Sequence, residues 1–423
     1  MPDDANFYID SLPTPPPRAG LNGKIEADVA ILGGGFAGVS TALHLAEQGL
    51  SVVLLEAKTV GFGASGRNGG QVLPGFSAGL EGIVNRNGIK VAKALWAESV
   101  EAVNIVRRLV QRHGISCDLT DGAVTLAVKP RHFRDFATEK TWLEDDFDYG
   151  GLELWDPDQT RAVVKSARYC GGLYDPRAPH LQPLAFVRGL GLAAEKAGAR
   201  IFENSPVIEI DHQNAVKRLI TAKGEVQART LVLAGNAYIG KLLPWAARRM
   251  MPVASCIVAT EPLGDRMQEV LTKSLSACDA NIVLDYFRPT ADGRLLFGGL
   301  ANYTGREPAD IAGVLGRRMQ SVFPQLASAR ITHAWGGLID ISLYREPLIG
   351  AMQPEVYVMQ GFSGHGVALA TLAGERVARA IKGDVTALIP YDALPRPHFP
   401  GGPLRTLGLV IGMAMLKLKD RWA

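Results

Sequence analysis

The chain has 423 residues, 47% hydrophobic and 21% charged, with a mean hydropathy of +0.08, a composition that excludes disordered, collagenous and coiled-coil classes. At about 150 residues per domain, the length predicts two or three folded domains. With 45 Lys and Arg against 42 Asp and Glu, the formal net charge is +3, too balanced for a surface that tracks nucleic-acid phosphates.

Residues 1–26 contain Pro13, Pro15, Pro16 and Pro17 and are expected to form a surface arm. The acidic start lacks a basic, apolar leader, which predicts a cytoplasmic protein. Residues 27–32 read as a buried strand, 39–48 as a helix ending at Gly49, and 51–55 as a second buried strand, together a βαβ unit. Residues 89–112 have a helical apolar pattern that stops at His113-Gly114. Asp121-Gly122, between apolar runs at 117–120 and 123–128, predicts a hairpin. Helical spacing recurs at 131–147 and 184–196. Strands are expected at 200–203, 207–210, 216–222 and 226–234, with Lys223-Gly224 as a turn. Runs at 253–260, 282–288 and 294–300, with Asp292-Gly293 as a turn, point to an antiparallel sheet. A helix at 309–323, a strand at 356–360 and a helix at 367–381 complete the pattern. The apolar stretch 407–416 is too short to span a bilayer and is expected to dock as a terminal helix, with a membrane-surface anchor as the lesser alternative. Cys117, Cys170, Cys256 and Cys278 form no C-x-x-C motif, and no two of the eight histidines lie within five residues of each other, so no metal site is expected.

Glycine is over-represented, 47 of 423 residues where about 7% is typical. Gly33-Gly34-Gly35-Phe36-Ala37-Gly38 supplies G-x-G-x-x-G between a strand and a helix, and Glu56-Ala57 closes the next strand. Gly33 permits the turn, Gly35 lets main chain reach a pyrophosphate at the helix N-terminus, and Gly38 lets helix and strand pack closely. Glu56 is placed to accept hydrogen bonds from ribose hydroxyls. A second glycine-rich loop follows directly, Gly61-Phe62-Gly63-Ala64-Ser65-Gly66-Arg67-Asn68-Gly69-Gly70-Gln71.

From about residue 27 onward the chain resembles the D-amino-acid-oxidase-type family of FAD amine oxidoreductases, in particular its γ-glutamylputrescine oxidoreductase branch. The resemblance is carried by the loop 61–71, by Leu231-Val232-Leu233-Ala234-Gly235-Asn236-Ala237-Tyr238, by Leu284-Asp285-Tyr286-Phe287-Arg288, by Met359-Gln360-Gly361-Phe362-Ser363-Gly364-His365-Gly366, and by Phe399-Pro400-Gly401-Gly402. It implies an α/β fold in which a Rossmann-like FAD-binding domain (27–88, 155–245 and 330–385) interleaves with an antiparallel-sheet α+β substrate domain (89–154 and 246–329), preceded by the arm and followed by a tail from 386 to 423. On this likeness the first loop and Glu56 hold the ADP half of FAD. Gly63, Ala64, Ser65, Arg67, Asn68, Gly69, Gly70 and Gln71 run beside the pyrophosphate and ribityl chain, Val207 meets adenine through its backbone, and Ala234-Gly235 close the pyrophosphate side.

Amine oxidation by a flavin leaves negative charge on the ring, which needs preorganised donors. The orphan N–H groups of Gly364-His365-Gly366 at a helix start, with Gly361 and Ser363 before them, are candidates, and His365 could add a side-chain donor. Tyr286, Trp335 and Tyr344 are candidate walls that would keep the substrate nitrogen unprotonated by desolvation. Arg67 and Arg345 could pair with flavin or substrate oxygens, and His180 and Gln182 fall in a segment the branch keeps polar. Where some relatives tether FAD through a cysteine or histidine, the matching positions here hold Gly337 and Asn68, which implies noncovalent FAD. Where sarcosine-oxidase-type relatives use a lysine to promote reaction with oxygen, the nearest matching position is Leu296, so O2 or another acceptor is open. The expected activity is oxidation of the terminal amine of a γ-glutamyl polyamine. The rival is a D-amino-acid or secondary-amine dehydrogenase of the same fold that passes electrons to a quinone.

Overall fold

The computed structural model describes residues 6–402 together with 405–406, 408–410 and 412. Two eight-stranded sheets organise them. In the first, Arg200–Phe202, Val52–Leu55, Gly23–Leu32, Gly224–Leu233 and Val356–Gln360 run parallel in that order, with Leu348–Gln353 antiparallel at one edge. The hairpin Val207–Asp211 and Lys217–Thr221 pairs with the early half of Gly224–Leu233. The central strands are apolar on both faces, as parallel strands covered on both sides must be. Val29, Ile31, Val52 and Leu54 enter one core cluster, while Ala30, Leu32, Val53 and Leu55 enter another.

Helices Phe36–Glu47, Ile89–His113, Pro183–Lys196 and Gly366–Ile381 bury their apolar stripes in the first of these clusters. Phe36–Glu47 and Gly366–Ile381 cross at Gly374, where a Cβ would lie 2.7 Å from Ala37 O and Thr41 N, and Ser40 Oγ donates to Thr371 O at 2.6 Å. The helix that follows the first glycine loop and the helix that follows the last are thereby locked together.

The second sheet has the order Ile331–Ser342, Met250–Thr260, Leu295–Asn302, Tyr286–Pro289, Ser276–Asp279, Thr120–Leu126, Gly172–His180, Glu153–Trp155. All its pairs are antiparallel except Ser276–Asp279 with Thr120–Leu126. Residues alternate across it: Cys256, Phe287 and Phe297 pack with helix Ile311–Val322, whereas Ser255 and Tyr286 face a cavity.

Several segments differ from the sequence expectation. Asp121-Gly122 is no hairpin turn. Thr120–Leu126 runs straight through it and pairs with Gly172–His180; the register shifts there, Gly122 at φ +112° standing opposite the bulged residues 176–178 of the partner strand. Asp-Gly serves such a shift as readily as a turn, because a positive φ suits both. Residues 331–342 and 172–180, expected with the dinucleotide-binding segments, lie in the second sheet, and helix Ile89–His113, expected with the substrate segments, packs behind the first. An apolar period fixes which face of an element is buried but not which sheet buries it. Most of the expected tail helix 407–416 lies outside the described residues; Leu409 and Val410 pack against a cluster of Met251, Val253, Tyr303, Ile341 and Phe399. Among the described residues no helix is long and apolar enough to cross a membrane, and no three His, Cys, Asp or Glu side chains group as metal ligands.

The proline stretch of the amino-terminal arm lies on the surface, as expected, but the arm docks at both ends. Ahead of its prolines, Asn6 caps the short helix Phe7–Asp10, whose Phe7 and Tyr8 are buried, and residues from Gly23 onward extend the first strand. Arg18 bridges Glu195 (Nε to Oε1, 2.7 Å) and Glu203 (Nη1 to Oε1, 2.9 Å), with Arg18 and Glu203 nearly buried. Removing one partner of a buried pair strands the other, so Arg18→Ala is expected to cost about 2–4 kcal/mol in urea unfolding. Unchanged stability would show that the arm docks without this pair.

Candidate active site

The strand Gly23–Leu32 delivers its last residue to Gly33, at φ +104°, and the helix Phe36–Glu47 begins three residues later with Gly35 as its N-cap and no side-chain cap. Main chain meets main chain here: a Cβ on Gly33 would lie 2.5 Å from Ala234 O, and one on Gly38 2.0 Å from Gly33 O. Glu56, just past Val52–Leu55, accepts from Gly34 N at 2.7 Å and Lys58 N at 2.9 Å, and desolvation raises its pKa. Ser205 N donates to Glu56 O at 2.9 Å, which brings Val207 to the neighbourhood of the acid, half-buried at the start of its strand. Ala57 is exposed beside it. The first loop, Glu56, Val207 and Ala234-Gly235 are therefore brought together.

The second loop lies against the first, with Phe36 N donating to Ser65 Oγ at 3.0 Å. Asn68 closes it: Nδ2 donates to Ala64 O and Ser65 O, and Oδ1 accepts from Gly70 N at 2.8 Å. Arg67 donates to Phe62 O and Gly336 O and covers the Phe62 ring. Beyond it opens a cavity of about 870 Å³ between the second sheet and the second and last glycine loops, lined in part by Ala64, Arg67, Asn68, Gly69, Gln71, Tyr286, Gly337, Arg345, Ser363, Gly364, His365 and Gly366. Gly63 abuts the Tyr238 ring just outside. A side chain at Gly337 would meet Arg67, since its Cβ would lie 3.3 Å from Arg67 Cβ.

The last loop is anchored from below by Asp340. Its carboxylate accepts from Gly361 N at 3.0 Å, its carbonyl accepts from Ser363 N at 3.1 Å, and its own N–H donates to Asn236 Oδ1 at 3.2 Å. Ser363 takes φ +54° and donates its hydroxyl to Gly361 O. His365 is the N-cap of Gly366–Ile381, and its Nε2 lies 3.1 Å from both Leu73 O and Pro74 O. Two carbonyl neighbours require the proton on Nε2, and desolvation lowers the imidazole pKa, so the ring is neutral. Its donor is spent on segment 73–74 and only the Nδ1 lone pair is left, which corrects the expected side-chain donor role. The backbone N–H groups of the helix start remain in the cavity wall.

Other expected residues fall elsewhere. Trp335 is buried behind the cavity wall, its Nε1 donating to Arg67 O at 3.0 Å and its ring edge-on to Tyr8. Tyr344 does not line the cavity; it is 40% exposed, under the Arg86 guanidinium. Gln182 caps helix Pro183–Lys196 by accepting from Ala185 N. Leu296 is buried in the core and does not line the cavity. Cys278 does line it, but burial pushes its thiol up to about 11, so it holds no thiolate at neutral pH. Sequence reasoning missed Tyr8, Asn236, Arg288 and Asp340. Only Asp340 left a usable signal, an acid inside the apolar run 335–343.

A strand-loop-helix cradle with an acid at the next strand end, and a roomy cavity beside a second glycine loop, are the parts that a flavin-dinucleotide site requires. The cradle fits FAD: glycines keep Cβ atoms out of the first loop, and the helix start has no cap from its own N-cap residue, Gly35, its Phe36 N–H meeting the Ser65 hydroxyl of the second loop. The chain belongs to the DAO family, described as FAD dependent oxidoreductase, whose model matches residues 28–380. It is 38% identical over 404 residues to a probable oxidoreductase, OrdL, of Haemophilus influenzae, covering 94% of this chain and 93% of that one. It is 38% identical over 423 residues to the γ-glutamylputrescine oxidoreductase of Escherichia coli, covering 99% and 98%. Its fold is similar to the crystal structure of glycine oxidase from Bacillus cereus, with a TM-score of 0.73 at 23% identity, covering 88% of this chain and 99% of that one. The protein is an FAD-dependent oxidoreductase.

Asp340 offers a test of the loop anchor. Desolvation raises its carboxyl to about 6, against about 3.9 when unfolded. As pH rises from about 4 to about 6 the unfolded chain ionises first, so the wild type should lose stability relative to Asp340→Asn, levelling off near ~3 kcal/mol above pH 6. Denaturation midpoints of the two proteins from pH 4 to 8 would measure this, and a constant difference would refute it.

Proposed function

We propose that the protein oxidises the terminal amine of a γ-glutamyl polyamine such as γ-glutamylputrescine. Bound FAD would supply the hydride acceptor for the carbon bearing the nitrogen. Loss of that hydride from the neutral amine leaves an iminium, which water hydrolyses to an aldehyde and ammonia. Gly33, Gly35, Glu56 and Ser65 hold the dinucleotide, and loop 67–71, Gly337 and the helix start at Gly364–Gly366 border the ring. Tyr286 forms an aromatic wall; its pKa is raised chiefly by burial, so the hydroxyl stays neutral and adds no charge that would favour an ammonium.

The observation that carries this reading is identity over nearly the full length to a γ-glutamylputrescine oxidoreductase, joined to a lining that holds both signs of charge. Arg345, beside the Tyr303 hydroxyl, is a candidate for the α-carboxylate of a glutamyl group, and Glu139 is a candidate for its ammonium, Asp175 being engaged already by the Tyr149 hydroxyl and Arg177 N. A small amino acid would leave most of such a lining without a partner. Leu296, the nearest match to the relatives' lysine, is buried away from the cavity, which supports leaving the final acceptor as O2 or another oxidant, with H2O2 formed in the first case. Noncovalent FAD is supported by the raised thiol at Cys278 and by glycine at 337.

Anaerobic mixing with γ-glutamylputrescine should bleach the flavin absorbance, while free putrescine, D-amino acids and sarcosine should do so far more slowly. Bleaching by a D-amino acid at the higher rate would overturn the substrate assignment. Readmitting air would identify O2 as acceptor by prompt return of colour. His365→Ala releases the Leu73–Pro74 segment and is expected to slow reduction by ~10–100-fold, the usual cost of a misplaced wall, with FAD still bound. An unchanged stopped-flow rate would remove His365 from the mechanism.

A further inference from the structure

Arg288, in the strand Tyr286–Pro289, is 3% exposed. Its guanidinium meets only uncharged acceptors: Nε donates to Gly69 O at 2.6 Å, Nη1 to Pro289 O at 3.1 Å and Nη2 to the Tyr8 hydroxyl at 3.3 Å. Among the described residues no carboxylate pairs with it. A guanidinium keeps its charge when buried, and a buried charge without a counter-charge is costly. The adjacent His180 supplies none. Equally buried, with neither ring nitrogen hydrogen-bonded, it is held neutral by desolvation and by Arg288, which push its pKa down to about 3.

The cation is lodged against the second glycine loop. A Cβ on Gly70 would lie 3.1 Å from its Nε and Nη2, and the same loop lends Asn68, Gly69 and Gln71 to the cavity wall. Tyr8 ties the arrangement from the other side of the chain: its hydroxyl donates to Asn68 O at 2.8 Å while accepting from Arg288. The described residues bury a cation there and supply it no anion, which leaves the counter-charge to something else.

We propose that Arg288 is a fixed positive charge of the flavin site, held by Tyr8 of the amino-terminal arm and acting through Gly69-Gly70, whose counter-charge is the electron-rich ring of the reduced cofactor. It is a positioning residue because it fixes the loop, and its charge favours every state in which the ring carries negative charge. The inference rests on the reading that the cavity beside loop 61–71 holds the isoalloxazine. The arm thereby becomes part of the cofactor site, although Tyr8 stands 60 residues from Asn68 and 280 from Arg288.

Sulfite binding to the FAD-loaded full chain tests the charge without turnover. Sulfite adds its lone pair to flavin N5 and places a negative charge on the ring, so its affinity reports the local potential. In Arg288→Gln the sulfite dissociation constant should rise about tenfold or more, as loss of a unit charge several ångströms away predicts, and the flavin midpoint potential should move negative. Arg288→Lys should restore most of both, and Tyr8→Phe, which keeps the ring against Trp335, should give an intermediate shift. Arg288→Gln that stays yellow with wild-type sulfite affinity and potential would overturn the proposal. If Arg288→Gln no longer retains FAD, recovery in Arg288→Lys supports it, and failure of Arg288→Lys with an unaltered Tyr8→Phe overturns it. A wild type that takes up no FAD would instead sink the reading of the cavity itself.

Discussion

Main chain approaches main chain within both of the glycine-rich loops that follow the first two strands, and no residue but glycine allows it. A Cβ would lie 2.5 Å from Ala234 O at Gly33, 2.0 Å from Gly33 O at Gly38, 2.2 Å from Gly61 O at Gly66 and 2.0 Å from Leu181 O at Gly70. Real Cβ atoms do not come so close to carbonyl oxygens, so a single methyl at any of these positions moves backbone rather than a side chain. The consequence is geometric: a strand end, two loops and a helix start converge on one volume, and the N–H groups left over face it. Gly374 extends the same device to the helices behind, so the first and last loops cannot shift independently.

The two sheets meet across polar contacts rather than apolar packing alone. Asn236 reaches Leu338 O and Asp340 N in the second sheet and accepts from Gln360 Nε2 at the end of Val356–Gln360 in the first. Asp340 then fixes the loop 361–363. Arg67 and Trp335 make a parallel tie between the second glycine loop and the strand Ile331–Ser342. A cavity is only as well defined as the crossings that hold its walls, and here the bonds from Asp340 and Trp335 end on Ser363 and Arg67, which line it. Precision at the ring follows from hydrogen bonds with few alternatives in a buried setting.

Glycines are legible in a sequence because close approach leaves no other choice, and the first loop, Glu56 and the second loop could be read directly. The N-terminal position of His365 on its helix was legible for the same reason. Tyr8, Arg288 and Asn236 were not, because their roles are contacts between segments distant in sequence, and a tyrosine in a proline-rich arm or an arginine in a strand carries no mark of its partner. Tyr344 and Trp335 show the converse: an aromatic residue near a motif announces burial or packing without saying on which side of the wall it stands. The register shift at Gly122 belongs here as well, since Asp-Gly encodes a positive φ and leaves the pairing to the rest of the sheet.

Charge around the cavity has been pared down by burial. His180 and His365 are held neutral, Tyr286 and Cys278 keep their protons, and Asp340 ionises only near pH 6. Asp175 spends its oxygens on the Tyr149 hydroxyl and Arg177 N, and desolvation raises the pKa of Glu139. What remains near the second and last loops is cationic: Arg67, Arg288 and Arg345. One sign of charge then serves two steps. On the proposed reading it would lower the pKa of an incoming amine, leaving the lone pair free, and would favour negative charge on a ring bound beside it. A site walled by carboxylates would bind the ammonium more tightly and oxidise it more slowly, because the attraction would be strongest for the protonation state that cannot react.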